Sequence, residues 1–215
     1  KNDICHYFDY PSKNISVIWN GINLDDYKFH QRGSFNANFV TIISADVPMK
    51  NLKTVLKALY LLKQEGINAK LTIVGDLRED NNKLIDRLGL TKEITYKSKL
   101  PRKQLIQSLN NADIGIAPSK YEGFGFPLVE MIATGLPVIV SDKASLPELA
   151  GNAGLIFNSS DSNDLKEKMK ELIENAALRN KVAENSKLRR DDFFGWDEYA
   201  KKLEDLYKEI ISGNI

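Results

Sequence analysis

Six short apolar runs punctuate the chain: FVTIIS (39–44), KLTIVG (70–75), ITY (94–96), DIGIAP (113–118), PVIVS (137–141) and GLIF (154–157). Each is followed by a longer segment with helical spacing of its apolar residues, an alternation that predicts βα units on a doubly wound, Rossmann-like parallel sheet. Between the first two runs, Leu52, Val55, Leu56, Leu59 and Leu62 share one stripe, so Lys50 to Glu65 is expected as an amphipathic helix ended by Gly66. Leu165, Met169, Leu172 and Ile173 mark a further helix, opened by the Ser/Asp/Asn cluster at 159–164, and Tyr199, Leu203, Leu206 and Ile210 mark a terminal one. The first 38 residues differ, with a lone strand-like run at 15–19 (ISVIW) followed by the turn NGIN at 20–23. The expected organisation is therefore a remnant of a preceding domain plus linker (1–38), a sheet domain (39–192) and a C-terminal helix (193–215). The start at Lys1, in mid-pattern and without a methionine, is read as the continuation of a longer chain.

Charge and composition narrow the function classes. With 30 basic and 29 acidic residues the net charge is +1, which argues against nucleic acid as a partner and requires any anion site to be built locally. Cys5 is the single cysteine, so no intrachain disulfide is possible and a reducing, cytoplasmic setting fits. No apolar run approaches the roughly 18 residues of a membrane helix. No Cys/His cluster has zinc spacing and no Asp-x-Asp motif offers a metal clamp, so no metal cofactor is expected.

In an open parallel sheet, ligands bind beyond the carboxyl ends of the strands. DIGIAPSKYEGFGFPLVEMIATG leads from a buried strand through a Gly-bearing loop into an apolar helix at such an end. Proline is favoured at the first helical position, which makes Pro127 the expected first helical residue and Phe126 the expected N-cap. The amides of Leu128 and Val129 would then be free to hold an anion such as a diphosphate. Gly123 and Gly125 would let the backbone approach a ligand closely. Glu130, one turn into the helix, and Glu122, before it, could accept hydrogen bonds from sugar hydroxyls. Taken singly, each glutamate is equally a solvated residue and each glycine a turn former; their combination at one strand end is harder to explain as packing.

Glu122 and Glu130 enclosing seven residues, followed by Ala133, Gly135, Pro137 and Val138, resemble the signature of the retaining GT-B glycosyltransferases of family 4, the glycosyl transferases group 1. The segments at 17–23 (VIWNGIN), 49–59 (MKNLKTVLKAL), 73–76 (IVGD), 145–149 (SLPEL) and 193–196 (FFGW) resemble others of that family's C-terminal, nucleotide-sugar-binding domain. The resemblance implies that Glu122 contacts the donor sugar, with the backbone at Phe124, Gly125 and Phe126 along it. It implies that amides near Leu128 hold the diphosphate, Glu130 the ribose and Lys50 the phosphates, where a cation would stabilise the leaving group. By its residues alone, Lys50 is also readable as a solvated lysine at a helix start. Ser44, Tyr96 and Lys97 complete the implied donor site, with the last two near the base. The family's usual Gly-Arg before this lysine is replaced by Ser44, Ala45 and Asp46, and the glycine often found near the third strand is absent from YKSKL (96–100). Ser145 and Glu148 have capping-box spacing and are read as structural.

The expected activity of the parent enzyme is transfer of a hexose from a UDP- or GDP-sugar to a hydroxyl, with retention, in polysaccharide, lipopolysaccharide or glycolipid assembly. Glu122 and Lys50 are the expected catalytic groups. A saccharide or lipid-linked acceptor would bind a further N-terminal domain, which would also make any contact with a membrane. Three rivals remain open. A glycoside hydrolase would use the two glutamates as an acid/base pair but has no need of a phosphate-binding helix end. A dinucleotide-binding domain would carry G-x-G-x-x-G where this chain has SADVPMKN. A nucleotide-sugar-binding subunit or sensor would share the donor site without catalysing transfer.

Overall fold

The computed structural model describes residues 1–30, 32–43 and 46–213. The chain divides into two compact units: Asp25–Asp192, and a smaller one made of Lys1–Leu24 with Phe193–Ile215.

The smaller unit opens with helix α1 (Asn2–Phe8) and a 3-10 turn at Ser12–Asn14. The run at 15–19, expected to be strand-like, forms no strand. An extended segment is a strand only when a neighbour completes its hydrogen-bond ladder; past the run, the Ile22 N–H donates to the Phe194 carbonyl at 2.9 Å. The side chains are used instead, with the Trp19 ring 5.7 Å from that of Phe193.

In the larger unit the six apolar runs become six parallel strands: β1 (Asn38–Ile43), β2 (Lys70–Gly75), β3 (Ile94–Lys97), β4 (Ile114–Ala117), β5 (Val138–Ser141) and β6 (Gly154–Phe157). Their order is β3-β2-β1-β4-β5-β6. This is the α/β, Rossmann-like arrangement expected from the alternation. β4 and β5 lie inside the sheet and are buried at every position, as their unbroken apolar runs require. The edge strand β3 has no buried position, and its two central residues, Thr95 and Tyr96, are exposed.

Helices fill the crossovers, α2 (Leu52–Gln64), α3 (Glu79–Arg87), α4 (Arg102–Asn110), α5 (Phe126–Ala133) and α6 (Leu146–Ala150), and α7 (Ser162–Glu174) and α8 (Ala176–Arg190) follow the last strand. The apolar stripe of α2 is buried as predicted, in one cluster with Phe39, Leu71 and Ile73 of the sheet and Leu165, Met169 and Leu172 of α7. Each such side chain contributes about 1.5–3 kcal/mol on burial. One local boundary differs from expectation. Lys50 belongs to a 3-10 turn, Pro48–Lys50, and α2 starts two residues later because Asn51 takes a left-handed conformation between them (φ 56°). The cluster at 159–164 does cap α7, through the Asp161 carboxylate accepting from the amides of Asn163 and Asp164. The chain closes with α9 (Trp196–Ile211) in the smaller unit.

Residues 25–37 are tied to the sheet unit by charge as well as packing. Asp113, at the entry to β4, accepts from the amides of Asn36 and Asn38 at 3.0 and 2.9 Å. Arg32 donates to the carbonyls of Ala112, Thr134 and Gly135, the last two at the carboxyl end of α5, where a cation complements the helix dipole. Burial pulls its guanidinium down to about 10.

β2 ends at Gly75 with φ 133°, and a Cβ there would lie 1.6 Å from the Ile43 carbonyl oxygen on β1. Gly75→Ala is therefore expected to lower stability by at least about 3 kcal/mol in urea unfolding, since neither the torsion nor the backbone neighbour can yield cheaply. A loss under 1 kcal/mol would show that the carboxyl end of β2 can be rebuilt.

Candidate functional site

The strand order reverses between β1 and β4: β1 leads away toward β2 and β3, β4 toward β5 and β6. The loops leaving these two strands diverge, and the crevice between them is where ligands bind in doubly wound sheets. The segment 46–51 follows β1 and the segment 118–125 follows β4, so the topology brings Lys50 and Glu122 to the same crevice although they stand 72 residues apart.

They meet there directly. Lys50 Nζ donates to Glu122 Oε1 at 2.6 Å, with both side chains about five-sixths buried. Ser119 Oγ donates to the same oxygen at 2.7 Å. Oε2 of Glu122 has no partner among the described residues. The two loops are joined by more than this pair. Asn51 donates through Nδ2 to the carbonyls of Pro118 and Ser159, at 3.0 and 2.8 Å, and the Lys120 amide donates to the Met49 carbonyl at 2.7 Å. Ser141, at the end of β5, donates to the Ser119 carbonyl, and Ser145 to that of Phe124, both at 2.5 Å. The loop carrying Glu122 is thus held from the β1, β5 and β6 sides before any ligand arrives.

Ser145 does not work as the capping box that its spacing with Glu148 suggests: it is the N-cap of α6 by position, but its hydroxyl makes no cap bond there. The short α6 starts with Leu146 and Pro147, and the hydroxyl turns instead to the site loop.

The start of α5 also departs from the sequence expectation. Gly125, with φ 110°, is the N-cap, Phe126 the first helical residue and Pro127 the second. Only glycine takes that torsion without strain, and this requirement outweighs the preference of proline for the first position. As a result the amides of Leu128 and Val129 are not free: both donate to the Gly125 carbonyl, at 2.9 and 3.2 Å. Their side chains are buried as well. The positive end of the α5 dipole remains at the crevice. Phe124 and Phe126 stack edge to face at 5.1 Å, and Tyr121 is 65% exposed. A Cβ on Gly123 would meet nothing within 4 Å, so the space over that residue is open.

Glu130, one turn into α5, is neither solvated nor isolated. Tyr27 Oη donates to its Oε1 at 2.6 Å, and Tyr27 is itself fully buried, with the Arg102 guanidinium 5.0 Å over its ring and Arg102 paired to Asp26 at 2.8 Å. Burial raises the Glu130 carboxyl above its ordinary value; the Tyr27 hydrogen bond and the Arg102 charge act against that. Burial, followed by the bond to Glu130, raises the Tyr27 phenol. Nothing in the spacing of the sequence signals Tyr27, which lies 103 residues from its partner.

Of the remaining predicted site residues, Ser44 lies outside the described residues. Tyr96 is half exposed on the edge strand, where its hydroxyl accepts from the Leu77 amide at 3.1 Å, and Lys97 donates to Ser108 Oγ at 3.1 Å. Asp46, where the resembled family places its Gly-Arg stretch, is buried. Its carboxylate accepts from the Arg78 amide at 2.7 Å and from Asn81 Nδ2, tying the β1 loop to the start of α3.

Comparison with known proteins agrees with this fold. The MMP alpha-(1->4)-mannosyltransferase of Mycolicibacterium hassiacum is 28% identical over 98% of this chain and 52% of its own length. Sucrose-phosphate synthase from Thermosynechococcus elongatus superimposes with a TM-score of 0.83 at 19% identity, covering 99% of this chain and 56% of that one. The Anabaena protein HepE, solved in complex with UDP and glucose, gives a TM-score of 0.77 at 19% identity, covering 93% of this chain and 58% of its own. The chain spans about half the length of the curated relatives it matches. The model of the family "Glycosyl transferases group 1" matches residues 26–189, and with its parallel GT-B C-terminal-domain fold the chain belongs to that family.

Proposed function

We propose that the chain is the donor-binding half of a glycosyltransferase that moves a hexose from a UDP- or GDP-sugar to a hydroxyl with retention, in the assembly of a saccharide or glycolipid. The observation that carries this reading is the Lys50–Glu122 pair in the β1/β4 crevice. Lysine and glutamate here neutralise each other. An entering diphosphate would replace Glu122 as the partner of Lys50, and the carboxylate so released would accept from the hydroxyls of the transferred sugar over the open face of Gly123. Lys50 and the α5 dipole, rather than the amides of Leu128 and Val129, would carry the phosphate charge, and at the transition state Lys50 would stabilise the departing nucleoside diphosphate. Glu130, oriented by Tyr27, would accept from the ribose diol through its other oxygen. The backbone at Phe124, Gly125 and Phe126 would lie along the sugar, and Tyr96 and Lys97 near the base. The acceptor site would lie mainly in a further domain. The UDP and glucose held by the HepE structure support this choice of ligand.

The two glutamates separate under mutation. Losing one charge-assisted hydrogen bond costs about 1.5–3 kcal/mol, roughly ten- to a hundred-fold in affinity. In titrations with UDP, GDP and their sugars, Glu130→Gln should weaken bare nucleotide and nucleotide sugar alike. Glu122→Gln should weaken the sugar-bearing ligand while leaving the bare diphosphate as tight or tighter, because Lys50 loses its competitor. Equal losses of both ligands in Glu122→Gln would remove that residue from the sugar site.

Stability should move the other way for Glu130. Its folded carboxyl lies above the ordinary 4.5, so the folded state holds the proton more tightly than the unfolded chain. The resulting stabilisation is complete below the ordinary value and is lost as pH rises through the raised one. Glu130→Gln is neutral and still accepts from Tyr27, so it should melt at or above the wild-type temperature at pH 7. Its advantage should shrink toward pH 4; a lower melting temperature at pH 7 would contradict the account.

Because the phosphate charge is met by a lysine and a helix end, nucleotide should bind as tightly in EDTA as in magnesium or manganese. Calorimetry in which chelator abolished binding and the cation restored it would overturn this phosphate site.

A further inference from the structure

On the other side of the 48–51 turn, between α2 and α3, lies a cleft of about 830 Å³ whose described lining includes neither Lys50 nor Glu122 nor Glu130. Lys53 and Lys57, one turn apart on α2, face it together with Arg78 and Arg87 at the two ends of α3 and Lys120 from the loop after β4. All five are exposed, and none has an ion-pair partner among the described residues. Lys83 also lines the cleft but is paired to Glu79 at 2.7 Å. Two carboxylates stand against these cations. Asp46 is committed to Arg78 N–H and Asn81, which leaves Asp80.

Scattered lysines on a convex face are ordinary and solvated. Five unpaired cations around one concavity of ligand size, in a chain whose net charge is only +1, repel one another and are held together by the scaffold alone. The amino-terminal turns of α2 and α3 open on the same space and add positive dipole ends. A ligand with several negative charges would satisfy both features; a single carboxylate could reach only part of the set.

We propose that the α2–α3 cleft is a second anion site, separate from the donor crevice, that takes a ligand carrying two or more phosphate charges. The ligand is either a soluble phosphorylated molecule or the phosphate-bearing headgroup of a lipid. The Lys120 amide, bonded to the Met49 carbonyl, makes the 48–51 turn a wall common to the cleft and the crevice, so a phosphorylated acceptor held here would lie beside the donor.

The test needs no nucleotide, so it stands apart from the donor-site reading. Calorimetry would titrate the 215-residue chain with tripolyphosphate, and co-sedimentation would use phosphatidylglycerol against phosphatidylcholine vesicles. Three variants would be compared: Lys50→Ala, the triple Lys53→Gln/Lys57→Gln/Arg87→Gln, and the charge-keeping triple Lys53→Arg/Lys57→Arg/Arg87→Lys. Removing three exposed charge contacts should weaken binding about tenfold or more. The charge-keeping triple should restore it, Lys50→Ala should remove only the donor crevice's share of tripolyphosphate binding and leave the cleft's, and UDP and GDP affinities should not change in either triple. Loss with tripolyphosphate alone assigns a soluble ligand, and loss with anionic vesicles alone a headgroup. If the glutamine triple binds both probes like wild type, or if Lys50→Ala alone abolishes binding, the cleft is not a separate site.

Discussion

A parallel sheet whose order reverses between β1 and β4 cannot cover the space beyond the carboxyl ends of those two strands. The crossovers leave in opposite directions, so the loops at 46–51 and 118–125 part, and whatever fills the gap must come from side chains at their tips. In this chain those are Lys50 and Glu122. Everything else about the crevice follows from how the two loops are held: Asn51 spans from the β1 loop to the β4 and β6 loops, while Ser141 and Ser145 approach from the β5 side.

The two glutamates occupy contrasting environments. Glu122 is matched by a cation and a hydroxyl on one oxygen, so its charge is compensated and its second oxygen is open. Glu130 is buried against a phenol, a weaker partner that does not cancel the cost of its desolvation. A carboxyl whose desolvation the Tyr27 bond and the Arg102 charge only partly offset is an expense to the fold, and such expenses cluster at functional sites.

The strands were legible from the sequence because a buried parallel strand must be apolar at nearly every position, and PVIVS and DIGIAP have no other soluble use. The amphipathic stripe from Leu52 to Leu62 was legible for the same reason. Strand order was not, since adjacency in a sheet leaves no mark on local periodicity, and so the placing of Lys50 and Glu122 in one donor site came only from resemblance, and their direct pairing from the structure. Local preferences misled where two of them competed. Proline at the first helical position argued for a cap at Phe126, but the φ of 110° at Gly125 decided it. Likewise Ser145 had capping-box spacing, but its hydroxyl donates to the Phe124 carbonyl and accepts from no α6 amide. Tyr27 and Asn51 were invisible because their partners, Glu130 and the Pro118 and Ser159 carbonyls, are distant in sequence.

The pinning of the 118–125 loop has a consequence for how this scaffold can change. Its anchors are Ser119, Lys120 and Phe124, whose backbone or hydroxyl groups are bonded to other elements, whereas Tyr121 projects outward and Gly123 faces open space. Frame and surface are therefore carried by different residues of one short segment. Substitution at Tyr121 or Gly123 can reshape what the crevice accepts with little effect on the folded core, whereas loss of the Ser141 or Ser145 hydroxyls that hold the loop's backbone is filtered first by stability. A lineage built on this loop can explore new ligands by altering two side chains while the strands beneath stay as they are.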